Sequence, residues 1–356
     1  MKAGITGLPY SGKTTLFCAV TGQKYEDFAH HRDIHIGTVK VPDSRLDILF
    51  EMFGPKKQTH ATMEYFDVAG QGSGKGREME PKVLQTLKNA DSLITIIDSY
   101  SDGADPEHDF GALMEELAFN DLVVLTNRVE RLEKEIRSGK KDTGSVEKIL
   151  FDRCRAVLEN GGVLRNLDLN HEEDKLLRGF QFLTRKPLLV VVNISEQILS
   201  EGKVAELEQR FSSPIMSGIS GVPCAAICAE LEMEIASLGN PDERAEFLNS
   251  LGIAEPALDR LIRLSYESLG LIVFFTAGGT DEVRAWAVQK GSTAVECAGI
   301  IHSDLARGFI RAETIAYNDL VAAGSLKTAR DQGLLRVEGK DYIVQDGDVL
   351  TIRFSV

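Results

Sequence analysis

Gly7-Leu8-Pro9-Tyr10-Ser11-Gly12-Lys13-Thr14 sets glycine, lysine and threonine at the spacing G-x-x-x-x-G-K-[ST]. That spacing suits phosphate chemistry. Gly7 and Gly12 let successive backbone N–H groups curl around a β-phosphate, and a helix opening at Lys13 turns its positive dipole end toward the same anion. Lys13 would neutralise β- and γ-oxygens, and the Thr14 hydroxyl would ligate Mg²⁺. About fifty residues on, Asp67-Val68-Ala69-Gly70 spells D-x-x-G. There Asp67 would orient Mg²⁺ through water, and the Gly70 N–H would lie near a γ-phosphate. Asn193-Ile194-Ser195-Glu196 follows an apolar run, where a GTPase would carry Asn-Lys-x-Asp to grip guanine. Glu196 is one methylene longer than that Asp, and Ile194 replaces the stacking Lys, which weakens guanine selectivity. An ordinary strand-end turn would also fit these four residues.

These residues need elements to hold them. Residues 2–6 form a short strand-like run ending in the glycine turn, and 13–21 a helix with Leu16, Phe17, Ala19 and Val20 as its apolar positions. Residues 23–43 lack periodicity and predict a long loop leading to an edge strand near 37–41. Residues 62–68 predict a strand stopped at Ala69-Gly70. The near-continuous apolar runs 92–98 and 187–193 are what central strands of a parallel sheet show when helices cover both faces. Between them the composition turns charged and helix-forming. Leu125, Val129, Leu132 and Ile136 recur at helical spacing, predicting either a two-helix, coiled-coil-like projection or ordinary surface helices. From Leu271 on, short apolar runs and glycine turns predict a small α+β domain over 272–356. Its alternating runs 342–344 and 349–354, joined through Gln345-Asp346-Gly347-Asp348, give a hairpin signal. The expected organisation is an α/β nucleotide-binding domain over 1–110 and 181–271, a helical insertion over 111–180, and the α+β domain.

The 356 residues are 43% hydrophobic, which excludes whole-chain disorder. Five scattered cysteines show no disulfide framework, and neither a secretory leader nor a membrane-length apolar stretch is present, so a cytoplasmic protein without a membrane is expected. The formal charge of −14 argues against coating nucleic acid by bulk charge, but not against a local basic face such as the 128–141 helix or the C-terminal sheet. His30, His31 and His35 lack ligand partners at metal spacing. Cys224-x-x-x-Cys228 suits core packing better than redox chemistry.

The text as a whole resembles the YchF/Obg-like ATPase family, a branch of the Obg group of translation-factor-class P-loop proteins. The P-loop Gly7-LPYSGKT-Thr15, the N-x-x-E motif Asn193–Glu196 and Cys224-Ala225-Ala226 carry the likeness. So do the C-terminal strings Phe274-FTAG, Glu282-VRAW, Ala298-GIIHSD, Arg307-GFIRAE, Ile315-AY and Glu338-GKDYIVQDGD, which look like a TGS domain, a small β-grasp module. The resemblance implies a Ras-like G domain with a coiled-coil insertion and a C-terminal TGS domain. It implies a nucleoside triphosphatase that binds ATP at least as well as GTP, switches conformation and associates with ribosomes or their RNA. Tyr10, Ser11, Gly12, Lys13, Thr14 and Thr15 would hold the phosphates, Asn193, Ile194 and Glu196 would contact the base, and Cys224–Ala226 would lie beside it.

Three departures from the family pattern mark a divergent paralogue. The first switch, Phe28-AHHRDIH, has no Thr before Thr38. The loop Ser99-YSDGADPEH is contracted, leaving His108 without a role. Gln71 follows D-x-x-G, where the family has an apolar residue. Gln71 could orient the attacking water, as in Ras-like GTPases, or be a solvated loop glutamine. Two functions compete: a slow Mg²⁺-dependent NTPase switch with Lys13 and Gln71 as catalytic residues, and a nucleotide-binding module that recruits a ribosome or regulator with little hydrolysis. The sequence leaves the choice of ATP or GTP and the oligomeric state open.

Overall fold

The computed structural model describes residues 1–25, 34–68, 80–139, 146–213, 221–251, 253, 255–279 and 281–355. By their internal contacts these fall into two units. One comprises residues 1–37 and 64–261, the other 38–63 and 262–356.

The first unit is built on a six-stranded sheet ordered β2-β4-β1-β5-β6-β7, namely Ile34–Lys40, Thr62–Val68, Lys2–Gly7, Ser92–Ser99, Leu188–Ile194 and Cys224–Ile227. β1 runs parallel to β4 and to β5, β5 to β6, and β6 to β7. Every residue of β6 is buried, as is all of β5 but its last two residues. Such strands have both faces covered, which is why their sequences read as unbroken apolar runs. β2 starts at Ile34, three residues before the expected edge strand.

α1 (Lys13–Thr21) follows β1 directly and ends at Gly22, whose φ of 67° is the left-handed conformation that stops helices. α3 (Pro81–Asn89) leads into β5. α4 (Pro106–Arg137) is a single 32-residue helix, started by Pro106 and by the Asp105 carboxylate accepting from the His108 N–H. Its Phe110 and Leu117 pack in the core that includes β5 and β6. Further along, Leu125, Val129 and Leu132 share a second core with Leu150, Phe151, Cys154 and Leu158 of α5 (Val146–Glu159). α4 and α5 thus pair around a core of their own, and there is no seam at residue 111, because α4 passes uninterrupted from the first core into the second.

The second unit has its own sheet, ordered β11-β10-β12-β8-β9-β3: Arg336–Glu338, Phe309–Ala316, Asp348–Phe354, Leu271–Thr276, Glu282–Gln289 and Lys57–Thr59. Phe274, Val288, Cys297, Ala298, Ala312 and Leu350 lie in its core. Two expectations change here. Residues 38–63, counted with the nucleotide-binding domain, belong to this unit. They contain the unforeseen helix α2 (Ser44–Phe53), capped by Asp43, and the strand β3, which pairs parallel with β9. The hairpin is also absent. Residues 342–344 make only the isolated bridge Thr293–Ile343, while β12 pairs with β10 and β8. The intervening turn serves the core instead. Asp348 accepts from the Gln345 N–H and the Tyr342 hydroxyl, and Asp346 and Gly347 bond the backbone of Val273 in β8.

Candidate nucleotide-binding site

The phosphate end of the site is shaped by backbone. Gly7 and Gly12 have φ of 155° and 95°, and Tyr10, at 66°, is one of two described non-glycine residues with positive φ. A Cβ on Gly7 would stand 2.4 Å from the Ile96 carbonyl oxygen, and one on Gly12 would stand 2.2 Å from Asn193 Nδ2. Both positions therefore demand glycine for want of space as well as for conformation. Register does the rest. Ile5 of β1 lies opposite Asp67 of β4, which brings the D-x-x-G aspartate to the loop's flank.

Lys13, 8% exposed, folds back so that its ammonium donates to the carbonyl oxygens of Gly7 (3.1 Å) and Leu8 (2.6 Å). Burial lowers its pKa to about 8, with the Asp67 charge opposing the shift. Thr14 Oγ1 donates to Asp67 Oδ2 at 2.8 Å. Asp67 is fully buried, and its other oxygen, Oδ1, has no partner. Burial raises its pKa, against the Thr14 hydrogen bond and the Lys13 charge. A buried carboxylate oxygen left empty beside a threonine hydroxyl and a lysine suits a hydrated divalent cation with an anionic ligand. The residues present fit Mg²⁺ on a nucleotide.

Beside the loop lies a cavity of about 620 Å³ lined by Gly12, Thr15, Tyr25, Tyr100, Asn193, Ile194, Ser195, Glu196, Gln197, Cys228, Ala229, Glu230 and Met233. Asn193, 6% exposed, spends its amide on protein: Nδ2 donates to the Ser11 carbonyl and Oδ1 accepts from the Ala229 N–H, both at 3.1 Å. It ties the glycine loop to the start of the segment after β7. Ile194 is 1% exposed and belongs to the core beneath the pocket, whereas Glu196 is exposed at its wall.

The Cys224-Ala225-Ala226 stretch lies inside β7, buried and paired with Val190–Val192. The residues that reach the cavity from that strand's end are Cys228, Ala229 and Glu230, four positions later. Of the two similar runs, C-A-A and C-A-E, the strand consumes the first. Cys224 and Cys228 are both buried free thiols whose pKa values burial raises, Cys224 to about 12, as core cysteines rather than a redox pair.

Sequence reasoning missed Tyr25 and Tyr100. The Tyr100 hydroxyl donates to the Tyr10 carbonyl at 2.6 Å, clipping the strand-end loop after β5 to the phosphate loop. The only signal was two tyrosines in stretches otherwise read as loops. Gly70, Gln71, His30 and His31 lie outside the described residues. His108 is largely exposed beside Asp109. Among the described residues no three His, Cys, Asp or Glu side chains gather to hold a metal, and no helix is long and apolar enough to cross a membrane.

Comparison with known proteins fits this architecture. The family model YchF-GTPase_C, described as "Protein of unknown function (DUF933)", matches residues 271–355. Over the full chain, the sequence is 38% identical to the ribosome-binding ATPase YchF of Bacillus subtilis, covering all of both chains. It is 37% identical to the same-named protein of Escherichia coli O157:H7, covering all of this chain and 99% of the relative. The solved structure of the Schizosaccharomyces pombe YchF GTPase superposes with a TM-score of 0.84 at 25% identity, covering 99% of this chain and 97% of that one.

Proposed function

The chain belongs to the YchF family, and on that premise we propose that it is a Mg²⁺-dependent nucleoside triphosphatase that turns over slowly and acts as a ribosome-associated switch. Support for ATP and GTP as substrates comes from relatives named as ATPases and as a GTPase. The absence of a stacking Lys at Ile194 and the longer Glu196 favour ATP.

The observation that carries the reading is the Thr14–Asp67–Lys13 cluster, with its unpartnered, buried carboxylate oxygen beside the phosphate loop. On nucleotide entry the Lys13 ammonium exchanges two neutral carbonyls for charged phosphate oxygens, a stronger partnership for a desolvated cation. Thr14 and, through water, Asp67 would hold Mg²⁺, which supplies charge neutralisation on the β- and γ-phosphates. The loop N–H groups and the α1 N-terminus stabilise the same oxygens as charge builds on them. Gln71 is assigned to orient the attacking water. Asn193 keeps the loop in register with the base pocket, and Tyr25 and Tyr100 offer ring faces to the base.

The test is phosphate release from ATP and GTP with Mg²⁺, for the native chain and for Lys13→Ala. Saturable release that falls by about a hundredfold or more in the variant is expected. Equal release from both proteins would overturn the reading.

A further inference from the structure

The end of the sheet opposite the phosphate loop carries a pocket that nucleotide chemistry does not use. β1, β5 and β6 are parallel, so the N-terminal ends of β5 and β6 lie on the order of 20 Å, six residues at about 3.3 Å each, from the loop that leaves the end of β1. A cavity of about 340 Å³ opens there, lined by Lys88 at the end of α3, by Ala90 and Asp91 before β5, and by Arg178, Arg185 and Lys186 before β6.

Its charges do not cancel. Arg178 and Arg185 share one carboxylate, Asp174, with Arg178 Nε at 2.8 Å. The Lys186 ammonium donates to the neutral carbonyl oxygens of Lys88, at 2.9 Å, and Ala90. Asp91 accepts from the backbone N–H of Lys2. The lining thus holds four cations and one carboxylate, Asp91, with Asp174 and the buried Asp121 behind them, an excess of one positive charge in a chain whose net charge is −14. Burial lowers the pKa values of both Lys186 and Arg185, so these charges are held at a desolvation cost that an incoming anion would relieve.

The segment bearing them is fixed in advance. Fully buried Asp121 of α4 accepts from the Leu183 N–H at 2.8 Å, and from the Thr184 N–H and Thr184 Oγ1 at 2.7 Å. Gln181, just before, is held at φ 52°. A rigid, cationic, polar-walled pocket whose one aromatic, Phe182, is 2% exposed offers grip on phosphate and no exposed ring for a base to stack on.

We propose that this pocket binds the phosphodiester backbone of RNA. The proposal rests on the ribosome association put forward above, which makes RNA the polyanion at hand, and it names the face that meets it.

The experiment is fluorescence anisotropy with a labelled RNA hairpin across a salt series, alongside co-sedimentation with ribosomes. It uses the full chain and the double variant Lys88→Ala/Arg178→Ala, whose sites leave the Asp121 anchor and Lys186 intact. The variant's RNA Kd should rise about tenfold, and its dependence on salt should lose about two phosphate contacts from the slope of log Kd against log salt. Its Kd for a fluorescent nucleotide should stay unchanged, which also shows that the fold survives. Lys88→Arg should bind RNA like the native chain. RNA affinity and slope unchanged in a variant that still binds nucleotide would overturn the proposal while leaving ribosome association standing. A native chain that fails to sediment with ribosomes would remove the ribosome reading itself, and the hairpin titration would then decide the pocket alone.

Discussion

At its phosphate end the nucleotide pocket is made of backbone: two glycines with no room for a Cβ, a loop of N–H groups, and one buried lysine resting on carbonyls. At the end proposed for the base it is made of side chains: Tyr25, Tyr100, Glu196 and Met233 around an asparagine whose own amide is already spent. A backbone site tolerates little, because a substitution there collides with a close neighbour or strands a charge. A side-chain site can trade contacts, because a ring or a carboxylate can be replaced without moving the chain. The two ends should therefore fail differently when altered.

Lys13→Ala, described above, should have the largest effect. Next comes Gly12→Ala. The added methyl would meet Asn193 Nδ2 at 2.2 Å on a φ of 95°, so strain and clash together should cost on the order of 1–3 kcal/mol. Nucleotide affinity should fall more than tenfold by calorimetry, with a melting temperature lower by a few degrees. If Gly12→Ala binds nucleotide normally, the phosphate end is less rigid than its geometry indicates.

Asn193→Ala probes the joint between the ends. It leaves the Ala229 N–H and the Ser11 carbonyl without partners, at about 1–3 kcal/mol. Affinity for ATP and for GTP should fall together by about tenfold. A loss confined to one nucleotide would make Asn193 a reader of the base rather than a tie.

The pH response should belong to the phosphate end alone. Lys13 has a folded pKa near 8, below the ordinary lysine value, so its burial costs stability below about pH 8, and that cost fades as the pH rises toward 10.5. Nucleotide binding has the opposite sign, since phosphate needs the ammonium. Between about pH 7.5 and 9.5 affinity should fall roughly tenfold or more, with close to one proton taken up per nucleotide bound at the upper end. Calorimetry in buffers of different ionisation enthalpy measures that uptake, and an uptake of zero would rule out Lys13 as the titrating group.

The smallest effects should come from the rings. Tyr100→Phe removes one hydrogen bond to the Tyr10 carbonyl, and Tyr25→Ala one ring face. Each should weaken ATP and GTP by about three- to tenfold in equal measure, because stacking reads no hydrogen-bond pattern.

The same contrast explains what the sequence could convey. Gly7, Gly12, Lys13, Thr14 and Asp67 were legible because backbone chemistry permits few residue types at fixed spacing. β5 and β6 were legible because burial on both faces removes polar residues. The tyrosines were not, since a ring facing a pocket and a ring facing solvent are the same letter. Nor was the true pocket edge at Cys228–Glu230, since the strand that decides between two similar runs is set by its pairing with Val190–Val192. β3 was invisible for another reason. Three residues, Lys57–Thr59, carry no periodicity, and their partner β9 lies more than two hundred residues away. The hairpin expected around Gln345–Asp348 failed because the run before the turn bridges to Thr293 while the run after it pairs with β10 and β8.

α4 adds a mechanical consequence. At 1.5 Å per residue its 32 residues make a rod about 48 Å long, rooted six residues after the Tyr100 that touches the phosphate loop. Its first turns are clamped in the sheet's core and its far half carries the second core, so it moves as one lever and not as two jointed pieces. A tilt of about 5° at that root sweeps the tip through about 4 Å, given the rod's length. Any tilt at the root would therefore be amplified into a much larger displacement at the tip.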